Sequence, residues 1–315
     1  MDKFDIIVIG AGPAGMTAAL NCLRAGKNVL VLEGETFGGQ AALSPRVENF
    51  PSYQRIEGAA LMDKLFEQIT EWGAQIELEC ASKLEKDGDT FTVTTDYNTY
   101  QCTSIILATG VKPRHMGVER EDELVGHGVS YCALCDGAFY AGEDVAVIGD
   151  ANTALQYALL LSGYCKHVHI CALFDKLFAD KALVDMTLAR ENVSVTYNVS
   201  LKKFIGDEEL SGLLFENTKT KEDFKLKCKC AFICIGQLPN NRAFSNLVEL
   251  NDAGYIVADE SCTTSCEGIF VAGDCRTKHV RQLVTATSDG AISAFAACRY
   301  VDSVNAKSLI KAEED

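Results

Sequence analysis

A chain of 315 residues is long enough for two domains, and its make-up, 48% hydrophobic and 23% charged, is that of an ordinary globular protein. A net charge of −15 excludes general nucleic-acid binding, which needs a basic footprint, and no apolar run approaches the roughly 20 residues of a membrane-spanning helix. A strand pattern starts within the first few residues, leaving no room for a signal peptide, so the expected location is the cytoplasm and the 14 cysteines read mostly as reduced thiols.

The first element is a buried strand over 4–9 that runs into Gly10-Ala-Gly12-Pro13-Ala14-Gly15 and then into an alanine-rich helix predicted over roughly 14–25. Gly10 permits a tight turn, Gly12 lets a pyrophosphate approach the backbone, and Gly15 lets the helix pack on the strand. The N–H groups of the helix start meet the phosphates. A second strand over 28–32 ends at Glu33, at the spacing of an acid that holds a ribose hydroxyl. The glycines alone are a weak signal. Strand, helix and terminal acid together define a dinucleotide site.

A further strand over 104–109 ends in Ala108-Thr109-Gly110, and after a link containing Pro113 comes Cys132-Ala-Leu-Cys135-Asp136-Gly137. Two cysteines two residues apart can close a small disulfide, and the adjacent carboxylate can move a proton. The same pair could be half of a zinc site. Cys228/Cys230 and Cys262/Cys266 lack the usual partner spacing, although the latter pair is within the broad range. A second strand, turn and helix follows at Asp144-Val-Ala-Val-Ile148-Gly149-Asp150-Ala151-Asn152-Thr153-Ala154, about 140 residues after the first. The fold class is therefore α/β, two Rossmann-like, doubly wound, three-layer domains with the second inserted into the first. The outer domain takes residues 1–113 and 244–315 and the inserted one 114–243, with hairpin strands over 207–233. The chain returns through Gly268-Ile-Phe-Val-Ala-Gly273-Asp274 to a last helix from about 285.

Taken together, Gly10 to Gly15, Gly38-Gly39-Gln40, Glu48-Asn49-Phe50-Pro51, Ala108-Thr109-Gly110, Cys132 to Gly137, Gly273-Asp274 and Arg281-Gln282 make almost the whole chain resemble the low-molecular-weight, bacterial-type thioredoxin reductases. The resemblance implies FAD in the outer domain, the dithiol on the inner one, thioredoxin as substrate and a homodimer. It implies that Glu33 holds the adenosine ribose and that Gln40, Asn49 and Asp274 lie along the flavin and ribityl chain, with Arg281 and Gln282 close by. Cys135 would face the flavin, Cys132 would attack the protein disulfide, and Asp136 would shuttle protons.

The second glycine turn departs from that family. Ala151 stands where a middle glycine is usual, and Asp150 puts a carboxylate at the phosphate-facing helix start, where it is placed to cap the helix itself. The basic cluster usual after the next strand has become Ala172-Leu-Phe-Asp-Lys-Leu-Phe178, without an arginine to grip a 2′-phosphate. This pattern is similar to the ferredoxin-dependent flavin thioredoxin reductases, and that resemblance implies reduced ferredoxin as donor in place of NADPH. A ferredoxin near about −400 mV lies below a thioredoxin near about −270 mV, a two-electron fall of roughly 6 kcal/mol. Arg276, Lys278, His279 and Arg281, next to Asp274, form the candidate docking patch for such an acidic partner. The lysines of 219–229 read as a solvated hairpin face.

Overall fold

The structure, a computed structural model, describes residues 3–44 and 47–314. The chain divides into two compact units, Met1–Lys112 with Leu238–Asp315, and Pro113–Gln237. In chain order the first stretch runs β1 (Lys3–Ile9), α1 (Pro13–Arg24), β2 (Val29–Leu32), α2 (Gly39–Ala42), α3 (Gly58–Glu71), β3 (Gln75–Glu77), β4 (Ala81–Asp87), β5 (Thr90–Thr95), β6 (Thr99–Leu107) and β7 (Val111–Pro113). The middle stretch holds α4 (Glu121–Leu124), β8 (Val129–Ser130), α5 (Ala133–Asp136), β9 (Asp144–Ile148), α6 (Asn152–Leu161), β10 (His167–Cys171), α7 (Lys181–Leu188), β11 (Val193–Thr196), β12 (Val199–Gly206), β13 (Leu210–Asn217), β14 (Asp223–Leu226) and β15 (Cys230–Ile233). It ends with β16 (Gln237–Pro239), β17 (Ile269–Val271) and α8 (Leu283–Glu314).

In the first unit the strand order is β3-β2-β1-β6-β5-β4, with β17 also pairing with β6. The strands β3, β2, β1, β6 and β17 pair in parallel, and β4–β5 and β5–β6 are antiparallel. The runs Ile6–Val8, 29–32 and 105–107 are buried without alternation, as parallel strands covered on both faces must be. Ile6 and Val8 face a core shared with α1, α3 and α8, whereas Ile7 and Ile9 face a second core with Phe91, Val93 and Phe244. That is the three-layer arrangement read from the sequence.

In the second unit five parallel strands stand in the order β11-β10-β9-β15-β8. Val145 and Val147 pack against α6 and its neighbours, while Ala146 and Ile148 pack against the antiparallel layer β12-β13-β14. The antiparallel layer starts at Val199, earlier than the hairpins expected over 207–233, and 230–233 belongs to the parallel sheet instead. All four residues of β15 are buried, the mark of a central strand and not of a half-exposed hairpin. Residues 238–243 group with the first unit. Asn241 is fully buried there and donates to the carbonyls of Gly254 and Cys275.

Candidate active site

The first glycine turn is fixed by two contacts and left open at a third position. Gly10 has φ +108°, and a Cβ there would lie 2.3 Å from the carbonyl oxygen of Ala108. A Cβ on Gly15 would lie 1.8 Å from the carbonyl oxygen of Gly10. Among the described residues nothing lies within 4 Å of a Cβ built on Gly12, so those residues give no steric reason for that glycine. Pro13 opens α1, and no side chain caps its first turn. Both oxygens of Glu33 accept backbone N–H bonds, from Ala11 at 2.8 Å and from Glu35 at 2.9 Å, which fixes the carboxylate at the end of β2.

The other residues expected along the cofactor converge on this turn. Gly39 has φ +53°, with its Cβ position 3.4 Å from the Cα of Gly12, and Gly38 donates to the Ala11 carbonyl. The Gln40 amide donates to the carbonyl of Val111, just past Ala108-Thr109-Gly110. The Asn49 amide donates to Gln282 at 2.9 Å. A Cβ on Gly273 would meet the Cβ of Ala14 at 2.9 Å, so the Gly273-Asp274 turn sits against the start of α1. The Arg281 guanidinium lies 4.4 Å from the Tyr255 ring centroid, and its Nε is 3.3 Å from the carbonyl of Asp274.

Asp274 carries the buried acceptor of this site. Its Oδ1 is buried and has no hydrogen-bond partner among the described residues. Burial pushes its carboxyl up to about 6, outweighing the pull of Lys278 and Arg281. A buried acceptor without a donor calls for one from outside the chain. That acceptor, the open space before Gly12 and the uncapped helix start fit a dinucleotide with hydroxyl donors.

Two residues that sequence reasoning passed over hold this site. Asn241 accepts the Thr109 hydroxyl at 2.7 Å. Asp289, on the buried side of α8, accepts from Gly273 N–H, from Arg276 Nε and Nη2, and from Lys278 Nζ. Burial alone would raise its carboxyl, but Arg276 and Lys278 hold it below the usual range. The signal was an acid placed in the apolar stretch of the last helix. It also corrects the docking patch. Arg276 is 1% exposed and Lys278 is 4% exposed, so neither cation faces a partner. Cys275 is a core thiol donating to the Ala272 and Leu107 carbonyls, and burial pushes it up.

In the second unit, Cys132 and Cys135 are joined as a disulfide with Cα atoms 5.3 Å apart. Cys132 is the N-cap of α5. The Cys135 N–H points at both the Cys132 carbonyl and its Sγ, each at 3.2 Å, and Asp136 N–H donates to the same carbonyl at 3.0 Å. A donor aimed at Cys132 Sγ favours negative charge on that sulfur once the pair is reduced. The neighbouring Tyr131 hydroxyl donates to buried Glu121, which also accepts the N–H groups of Met116 and Gly117.

The second glycine turn is built differently from the first. Gly149, at φ +150°, packs against the Cys234 carbonyl, and Ala151 is the extended N-cap of α6. No side chain caps that helix, so the capping expected of Asp150 is not made. Asp150 is instead bonded through its backbone, accepting Phe178 N–H at 2.6 Å, while Ala151 and Phe178 form a β-bridge. Asn152 and Asp180 bond reciprocally, Asp180 N–H to Asn152 Oδ1 at 2.8 Å and Asn152 Nδ2 to Asp180 Oδ2 at 3.1 Å. Residues 178–180 thus lie strapped along the start of α6. Burial raises the Asp150 carboxyl, and no arginine occurs in 149–180.

Residues 4–290 match the family model described as pyridine nucleotide-disulphide oxidoreductase. The thioredoxin reductase of Treponema pallidum is 40% identical over 302 residues, 96% of this chain and 98% of that protein. The solved thioredoxin reductase of Streptococcus pyogenes superposes with a TM-score of 0.92 at 35% identity, covering 96% of this chain and 99% of the other. A ferredoxin-flavin thioredoxin reductase from Clostridium acetobutylicum aligns with a TM-score of 0.54 at 27% identity, over 97% and 99% of the two chains. The chain belongs to the pyridine nucleotide-disulphide oxidoreductase family. Within it, the protein is a flavin disulfide oxidoreductase of the thioredoxin reductase type, with FAD as its cofactor. Among the described residues no helix is long and apolar enough to cross a membrane.

Proposed function

We propose that reduced ferredoxin, and not NAD(P)H, supplies the electrons, and that they pass through FAD and the Cys132/Cys135 dithiol to thioredoxin disulfide. The observation that carries this reading is the second glycine turn, where Ala151 stands in place of a middle glycine, Asp150 adds a carboxylate, no arginine follows through 180, and residues 178–180 bond along the start of α6. The likeness to the Clostridium acetobutylicum enzyme supports it. FAD, when bound, accepts electrons singly and delivers them in pairs, which an iron–sulfur donor and a disulfide acceptor require.

The outer unit would hold FAD with Gly10, Gly12, Pro13, Ala14, Gly15, Glu33, Gly39, Gln40, Asn49, Ala108, Thr109, Gly110, Gly273, Asp274, Arg281 and Gln282. In the inserted unit, Cys132 thiolate, favoured by the Cys135 N–H, attacks one sulfur of the thioredoxin disulfide. Cys135 thiolate then attacks Cys132 Sγ, and the Cys132–Cys135 disulfide forms as the second thioredoxin thiolate leaves. Asp136 takes the proton released by the dithiol and returns it to the leaving thiolate, so two electrons move and no proton is gained or lost overall. The assembly would be a cytoplasmic homodimer, which light scattering on the purified protein tests.

The donor is tested by anaerobic reduction of the bound FAD with NADPH, NADH and reduced ferredoxin in parallel. Bleaching by ferredoxin alone is expected. Rapid stoichiometric bleaching by NADPH at micromolar concentration would overturn the donor assignment.

A further inference from the structure

Ser130 ends β8, in register with Phe232 of β15, and is 4% exposed, so the sheet and not the redox loop fixes its position. Its hydroxyl donates to Asp136 Oδ2 at 2.6 Å, and its oxygen accepts the Cys132 N–H at 3.1 Å. The Cys132 carbonyl, at 3.4 Å, is the poorer acceptor for the one hydroxyl proton. A single side chain therefore holds both ends of the segment 132–136. The bond to the carboxylate is short and charge-assisted.

We propose that Ser130 is a positioning residue for thiol–disulfide exchange: it anchors the Asp136 carboxylate next to the dithiol and favours its charged, proton-accepting form. This rests on the assignment of Cys132, Cys135 and Asp136 made above. In the exchange, the dithiol proton passes to Asp136 Oδ, the Cys132–substrate S–S bond forms, the substrate S–S bond breaks, and Asp136 gives the proton to the departing sulfur. Ser130 keeps its own proton throughout. Its part is to hold the carboxylate in the ionised state and in one orientation between the two transfers, as a donor to the charged form does.

The test uses FAD-loaded full-length protein, reduced beforehand with dithionite, and follows dithiol oxidation by thioredoxin disulfide across the pH range. Ser130→Ala is expected to slow the exchange about tenfold, the scale of one lost bond to a charged group. Its carboxylate-dependent limb should move up by about one pH unit, because the charged form has lost a donor. Ser130→Thr, which keeps the hydroxyl, should restore the midpoint. The double variant Ser130→Ala/Asp136→Asn should be no slower than Asp136→Asn alone, since the serine acts through that carboxylate. Losses that add in the double variant, with an unshifted midpoint in Ser130→Ala, would show that the hydroxyl only braces the loop and would overturn the proposal. A wild-type rate and profile in Ser130→Ala would do the same, and if Asp136→Asn is slow in that experiment the dithiol assignment still stands. A wild-type profile in Asp136→Asn would remove the proton-carrier assignment and this proposal with it.

Discussion

Arg276 and Asp289 form a bidentate ion pair shut away from solvent, with Nε and Nη2 donating to the two carboxylate oxygens at 2.8 and 2.9 Å. The same carboxylate takes Gly273 N–H, so the pair fixes the turn that carries Asp274.

Removing Asp289 takes from Arg276 and Lys278 their shared buried partner, and removing Arg276 leaves Asp289 with Lys278 alone; breaking a buried pair costs about 3–5 kcal/mol. Arg276→Ala and Asp289→Asn should each lower the unfolding free energy extrapolated from urea curves by about that amount and yield protein depleted of FAD. Measurement of FAD absorbance per chain alongside the urea curve checks both. A stable Arg276→Ala protein with full FAD content would contradict the role given to the pair.

Asp274 predicts an unusual pH dependence for the apo-protein. Its folded carboxyl is raised to about 6 from an ordinary value of 3.8. The folded chain therefore holds a proton that the unfolded chain releases between those values. Its contribution is fully present below about 4 and is lost as pH rises through about 6, a change on the order of 3 kcal/mol. Asp274→Asn should remove that slope and stabilise the apo-protein at neutral pH, yet weaken FAD binding. Thermal melts of apo wild type and variant against pH, with FAD titrations, decide it.

The glycines of the first turn should separate by role. Gly12→Ala meets open space and loses only the N-cap preference of glycine over alanine, so the apo fold should change by no more than about 1 kcal/mol. Its methyl group would crowd a bound pyrophosphate and weaken FAD by roughly ten- to a hundredfold. Gly15→Ala drives a methyl into the Gly10 carbonyl and should destabilise the fold by about 3 kcal/mol whether or not FAD is present. Equal effects on apo stability would refute the distinction.

Cys132→Ser should cut thioredoxin reduction by a factor on the order of a thousand or more, because the attacking sulfur is gone. FAD content should be unchanged, since the dithiol and the first glycine turn belong to separate units. Assays of thioredoxin turnover and bound FAD on the same preparation check this.

The sequence made the skeleton of both units legible because their central strands are uninterrupted apolar runs ending in glycine turns, a local pattern that needs no partner to be recognised. The cysteine pair was legible for the same reason. What escaped depended on distant contacts. Arg276 and Lys278 looked like surface cations until Asp289, on the final helix, was seen to pair with both. Asp150 reads as a cap, but Phe178 N–H engages its backbone and Asp180 engages Asn152. Residues 230–233 read as part of a hairpin because a short apolar run does not declare whether its neighbours are parallel.

The partnerless Oδ1 of Asp274 gives FAD a second job in the cell. A ligand that binds only the native chain shifts the folding equilibrium toward it by mass action. Newly made chains that meet no FAD keep a buried acid unanswered beside the turn on which α1 and α8 meet. They should spend more time open to proteases, so the amount of this protein should follow riboflavin supply even when its messenger level is constant.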